Sequence, residues 1–255
     1  MTKMDPSQVA QLSRRPVGPQ NRVAAMAVVV ALSLAGCASP RAEQPQPFQG
    51  EYPGLLRPAE VLGQDVVLRQ RVTAAWNDGE GQSGSRGFEA VVQKQGSLLT
   101  MVGLSPFGSV GFAILLENGQ VELRHESGEE LPFPPRFVLL DFQRVFYPWV
   151  AEAGEALPDG EHRAVVGGEE VHEEWLGGRL IERRFRRLDD QPPGELLVHY
   201  TWESSAPGAA GASASAPGSA LGSAPSRAVL DNTWFRYKLT VDTLQETLLE
   251  AAGNP

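Results

Sequence analysis

The sequence predicts a mainly β domain, a strongly curved antiparallel sheet or open barrel of about ten strands with a mid-chain helical interruption. Three observations carry that reading. Short apolar-rich runs recur between clusters of Gly, Ser, Asn or Asp, as strands do between turns. Asn118-Gly119 and Gly177-Gly178 have the chemistry of tight hairpin turns, whose positions require positive φ. Only after Pro134-Pro135 does the apolar period change to a helical one.

The first segment reads as an address. Arg14, Arg15 and Arg22 precede the uncharged stretch 23–34, VAAMAVVVALSL. Twelve residues of helix span about 18 Å, too short for a hydrocarbon core of about 30 Å. A basic region, a short apolar region and small residues after it together predict a secretory signal at 1–36. Leu34-Ala35-Gly36-Cys37 resembles the bacterial lipobox, and Cys37 is the only cysteine. The resemblance implies cleavage before Cys37, diacylglycerol on its thiol and an acyl chain on its new amino group. Three acyl chains, at about 0.8 kcal/mol per buried methylene, anchor stably. Ala38 and Ser39 follow where an aspartate would favour the inner membrane, so the expected address is the outer membrane, with the domain facing the periplasm. Residues 37–57 then hold the lipidated Cys37 and a stretch with four prolines and no periodicity, expected to be a flexible tether.

The domain is expected over 58–255. Strand signals occupy Val66–Ala75, Phe88–Lys94, Leu98–Leu104, Val110–Glu117 and Gln120–His125, the last two joined by Asn118-Gly119. In 137–146, Val138, Phe142, Val145 and Phe146 fall on one helical face. Pro148 ends that helix and suits the first turn of a second, Trp149–Leu157. Strand signals resume at Ala164–Val166, Val171–Leu176, Leu180–Leu188, Leu196–Glu203 and Trp234–Leu244. In the last, Tyr237, Leu239 and Val241 alternate with polar residues, as in a half-buried strand. Between the final two, residues 204–225 are Ser, Ala, Pro or Gly at 21 of 22 positions. Such a run cannot bury enough apolar area to fold, so 204–228 is expected to be a disordered loop grown from a hairpin.

Composition excludes several functions. The chain carries 22 basic and 31 acidic residues, and losing 1–36 would leave 18 against 30. A surface that acidic repels phosphates, which argues against a nucleic-acid partner. One cysteine rules out an internal disulfide framework and any zinc site built on several thiolates. Gly103-Leu104-Ser105-Pro106-Phe107 lacks the second glycine of a nucleophile elbow and leads to a strand rather than a helix. The four histidines show no metalloprotease spacing, and no glycine-rich phosphate loop occurs. Glu170, His172 and Glu174 share one face of a strand, which reads as a solvated polar face, with Glu169 and Glu173 making the other face acidic too. No catalytic residue, metal or cofactor is expected.

Residues 101–112 (MVGLSPFGSVGF), the block Phe137–Trp149 and residues 235–244 (FRYKLTVDTL) resemble a family of bacterial lipoproteins with a domain of unknown function. Members are often encoded beside polyketide- or fatty-acid-like biosynthetic genes, including those for aryl polyenes. The family is in turn similar to the outer-membrane lipoprotein receptor LolB and its soluble partner LolA. That similarity implies an incomplete antiparallel β-barrel closed by mid-chain helices and lined with apolar side chains that receive acyl chains. LolB has a Pro-Leu-Gly loop whose exposed leucine serves lipoprotein handover. Pro106-Phe107-Gly108 matches it here, with Phe107 for leucine, and would be the loop that touches cargo or membrane. Core packing beside a turn is the competing reading of Phe107. Phe137, Val138, Phe142, Val145, Phe146 and Trp149 would form the lid.

Two functions fit. One is a lipid-anchored carrier that binds or hands over lipid, acylated cargo or lipoprotein through an apolar cavity. The other is a non-catalytic accessory or scaffold lipoprotein with a filled core and a periplasmic protein partner, in an envelope or polyene-type biosynthetic system.

Overall fold

Among the described residues, eleven antiparallel strands form one open sheet around one α-helix. The computed structural model describes residues 52–77, 83–105, 107–125, 134–153, 155–203 and 223–249. The strands are β1 Val66–Asn77, β2 Ser83–Gln95, β3 Leu98–Leu104, β4 Val110–Glu117, β5 Gln120–His125, β6 Gly160–Val166, β7 Glu169–Leu176, β8 Arg179–Arg187, β9 Glu195–Thr201, β10 Arg227–Asn232 and β11 Tyr237–Leu248. Helix α1, Pro135–Phe146, lies between β5 and β6 in the chain. The spatial order is β5-β4-β3-β2-β1-β11-β10-β9-β8-β7-β6. The chain thus runs as two meanders, sewn together where its first strand pairs its last. Strands β5 and β6 remain edges, so the barrel is incomplete, as the sequence implies.

Local sequence accounts for most of these elements. Asn118 and Gly119 adopt φ of 51° and 75° and place Glu117 opposite Gln120, a two-residue hairpin. Gly177 and Gly178 do the same between β7 and β8. In β1 the inward series Val66, Leu68, Gln70, with Ala74 further on, is buried, while Arg69, Arg71 and Thr73 face solvent. Pro135 occupies the first turn of α1, where its missing N–H costs nothing.

The sheet must curve, because strands from both of its ends touch α1. Every helix residue from Leu139 to Phe146 is buried. Side chains of β7, β8, β9 and β11 bond helix groups, while β1–β4 line a cavity that α1 also borders.

Three expectations need correction. The second helix, Trp149–Leu157, does not form. α1 ends at Tyr147 in an extended conformation, and the Trp149 indole turns back to donate to the Gln143 carbonyl at 3.0 Å, carrying the chain away from the helix axis. The run expected to be a loop to residue 228 ends earlier, because Arg227–Asn232 is a strand that pairs with β9 and β11. The stretch expected to be a tether to residue 57 packs from Tyr52 onward: Tyr52 is buried, and Gln143 bonds both the N–H and the carbonyl of Arg57. Tyr52 in the core and Leu56 packed against it supply the burial that the proline content obscures. No helix among the described residues is long and apolar enough to cross a membrane.

Candidate functional site: an apolar cavity beside a buried helix

One face of α1 and the first half of the sheet enclose a cavity of about 590 Å³. Strand alternation supplies its wall. Val72, Ala74 and Trp76 come from β1, Phe88 and Ala90 from β2, Met101 and Leu104 from β3, and Leu239 and Val241 from β11. Helical spacing supplies the opposite side, with Phe137, Val138, Phe142, Val145 and Phe146. Phe142 and Phe146 stack with centroids 4.9 Å apart, and Phe88 meets Phe112 edge to face at 5.7 Å. Gly103 permits this wall, since a Cβ there would stand 2.1 Å from the Phe112 ring. The volume falls in the range of small-molecule sites, roughly 300–1,000 Å³.

The cavity opens at the β3–β4 end. Arg86, Phe107 and Ser109 belong to its lining and are exposed, whereas Ala90, Met101 and Phe146 are buried. The loop at this mouth is tight. Ser105 N–H donates to the Ser109 carbonyl at 2.8 Å, and Gly108 N–H donates to the Ser105 carbonyl at 2.9 Å. Gly108 takes φ of +79°, which suits a residue without Cβ. Phe107 is 97% exposed at the tip of this turn.

The other flank of α1 is fixed by a polar lattice that includes the two glutamates expected on an acidic face of their strand. Glu169 and Glu173 are fully buried, not solvated. Glu169 pairs with Arg144 at 2.8 Å and Glu173 with Arg183 at 2.7 Å. The reason is the face they share with Val171 and Trp175, which points to α1. Arg144 lies against the rings of Tyr52, Phe185 and Trp234 at 4.8, 5.4 and 5.1 Å and donates to the Pro53 carbonyl. The last helical carbonyls, which have no partner within the helix, are also met. Arg183 donates to that of Arg144 at 2.6 Å and Tyr200 to that of Val145 at 3.0 Å. On the outer face of β7, His172 and Glu170 stand 3.1 Å apart. No group of three potential metal ligands occurs among the described residues.

Asp141 joins the two flanks. Its carboxylate borders the cavity and accepts hydrogen bonds from the hydroxyls of Tyr52 and Tyr237. Burial pushes its pKa up to about 6, against the opposing pull of Arg144 and the two tyrosines. Burial and the facing carboxylate likewise hold both tyrosine hydroxyls well above their ordinary value.

Of the expected lid residues, Phe137, Val138, Phe142, Val145 and Phe146 border the cavity together. Trp149 does not; it packs edge to face on Phe185, 5.1 Å away, on the far side of the helix end. Nor is α1 a flap, since its last turn is tied into β7–β9. Pro106, the lipobox Leu34, Ala35, Gly36 and Cys37, and residues 204–222 lie outside the described residues. Gln70 and Asp141 also border the cavity; for Gln70 the sign in the sequence is a polar residue on an otherwise apolar inward stripe of β1.

Residues 67–245 match a family model described as a protein of unknown function, DUF3261. The chain belongs to that family. No curated protein matches it. Among solved structures it is similar to a LolA superfamily protein from Nitrosomonas europaea, with 12% identity, 75% of this chain and 90% of that one covered, and a TM-score of 0.41. It is also similar to a domain from Vibrio parahaemolyticus provisionally assigned as an outer membrane lipoprotein-sorting protein, with 8% identity, coverage of 78% and 94%, and a TM-score of 0.41.

Proposed function

We propose that this chain is a non-catalytic, lipid-anchored carrier of the cell envelope that binds lipid, an acyl chain or acylated lipoprotein cargo in the cavity beside α1. The single observation that carries this reading is the cavity itself, about 590 Å³ bordered mainly by apolar side chains and open at one end. A core that served only stability would be filled to the packing density of an organic crystal. At about 0.8 kcal/mol per buried methylene, a long chain offsets the entropy of association and reaches micromolar affinity. Affinity then follows chain length more than headgroup charge.

The lipobox Leu34-Ala35-Gly36-Cys37 supports anchoring through Cys37, and Ala38-Ser39 support the outer membrane as its address, with the domain facing the periplasm. Pro106-Phe107-Gly108 is the contact loop for cargo or membrane in this reading, because Phe107 stands exposed at the mouth.

A native mass spectrum of the full chain, purified from membranes in mild detergent, tests both parts. The expected mass is that of a chain beginning at Cys37 with its anchor lipids, plus a non-covalent apolar ligand released on activation. A chain that carries no ligand and does not take up an added fatty acid or apolar dye contradicts the carrier reading and favours a scaffold role with a protein partner.

A further inference from the structure

We propose that the cavity recognises a neutral acyl carbonyl, an ester or amide, and that the side-chain amide of Gln70 is the donor that seats it. This rests on the carrier reading above and names the polar group its ligand carries.

Gln70 occupies the inward stripe of β1 between Leu68 and Val72, is 2% exposed and borders the cavity. Its amide Nε2 has no hydrogen-bond partner. A buried amide without a partner is destabilising, and native interiors rarely tolerate one without a use. The backbone is irregular at the same place, with the register of β1 against β11 shifting between Arg69 and Gln70. The extra residue is Leu244 of β11, and a bulge bends the strand that carries it, here the one beside Gln70. The residue then paired with Gln70 on β11 is Thr243, whose Oγ1 is also buried and unpartnered. On the other side its registered neighbour is Ala90, too small to cover the amide.

Neither neighbouring acceptor bonds this amide: the Thr243 hydroxyl and Gln70 Nε2 are both unpartnered, although the two residues are in register. Asp141 is the carboxylate of the lining, and both its oxygens are engaged by Tyr52 and Tyr237. An acceptor carried by the ligand completes the bonding of this amide. It is neutral, because among the described residues no buried cation borders the cavity to balance a carboxylate or phosphate, and Asp141 would repel one. Arg86, the cation of the lining, is exposed at the mouth. A carbonyl oxygen within a hydrocarbon chain satisfies all of these conditions.

The test displaces an apolar fluorescent dye from the purified full chain with ethyl hexadecanoate and, separately, with ethyl hexadecyl ether, which has the same shape without the carbonyl. The ester should bind about five- to tenfold more tightly, the worth of one buried hydrogen bond. Gln70→Leu should bring the ester down to the level of the ether. Gln70→Met, which keeps the length of the side chain, provides the same comparison if the leucine variant folds poorly. Equal binding of ester and ether by the natural chain, or a preference that survives both substitutions, overturns the inference and leaves the carrier reading standing. Failure of both ligands to displace the dye overturns the two together. A secondary amide of matched length separates the sources of the carbonyl: tighter than the ester, it points to an N-acylated lipoprotein terminus, and weaker, to a glyceride ester.

Discussion

Asp141 is a carboxyl group that burial discourages from ionising and that Arg144, Tyr52 and Tyr237 encourage to ionise, with burial prevailing at a pKa of about 6. The consequence for stability has a definite sign. Below about pH 4 the group is protonated in both the folded and unfolded chain. Between about 4 and 6 the folded chain keeps a proton that the unfolded chain has released, so stability falls as pH rises through this window. The loss from this one group is on the order of 2–3 kcal/mol. Asp65 acts in the opposite direction, because hydrogen bonds from Lys94 and the Gly96 N–H hold its carboxyl below the ordinary value. Comparing the natural chain with Asp141→Asn by urea unfolding at pH 4 and pH 7 isolates the first effect. The natural chain should lose stability relative to the variant on going to pH 7. A difference between the two that is constant with pH would show that Asp141 ionises normally. The same residue shows a limit of sequence reading. An aspartate inside a helix of Phe, Val and Leu has no visible partners until Tyr52 and Tyr237, 89 and 96 positions away in the chain, converge on it.

At the level of elements, the strands were legible wherever turn chemistry bounded them. β3, β4 and β5 have the limits their apolar runs and Asn118-Gly119 define. β10 was not legible, because its six residues adjoin the Ala/Ser/Gly/Pro run and end on polar Asp231 and Asn232. Trp149–Leu157 misled for the opposite reason: Pro148 suits a first helical turn locally, but the carbonyls at the end of α1 recruit the Trp149 indole instead. Glu169 and Glu173 misled through their charge, since alternation with Val171 and Trp175 already placed them inward. Their burial is tolerable only because Arg144 and Arg183 meet them there. The pairing of β9 with β10 leads to a prediction about the long insertion. Thr201 and Arg227 lie opposite one another at the end of this ladder, so a short turn can join the two strands. Replacing residues 204–224 by a brief Gly-Ser turn should change stability by no more than about 1–2 kcal/mol, in favour of the shorter loop, while unfolding stays cooperative. Broad or multiphase urea transitions in the shortened chain would show that the segment contributes to the fold.

On the scale of the whole molecule, α1 divides the interior into two unlike halves. Toward β7–β9 it is bolted by buried ion pairs and capped carbonyls; toward β1–β4 it borders open apolar space. The apolar character of that second half was readable from alternation, whereas its emptiness was not, because packing density is a property of the assembled sheet. An arrangement with one rigid half places the burden of ligand entry on the mouth, where Phe107 projects. On the carrier reading proposed above, transfer requires an apolar surface there that can leave water when membrane or cargo is met, and a charge at the tip opposes that step. Because Phe107 buries almost nothing within the domain, its loss should leave stability within about 0.5 kcal/mol, as for an ordinary surface substitution. Phe107→Glu should therefore fold normally yet lose transfer of a fluorescent acyl lipid between vesicles. Phe107→Ala, which removes contact area without adding charge, should only slow it. Binding of an apolar dye to the deeper cavity should fall far less than transfer in either variant. Two results would contradict this assignment: transfer unchanged in Phe107→Glu, which would move the contact surface elsewhere, or destabilisation beyond about 3 kcal/mol, which would make Phe107 part of the core.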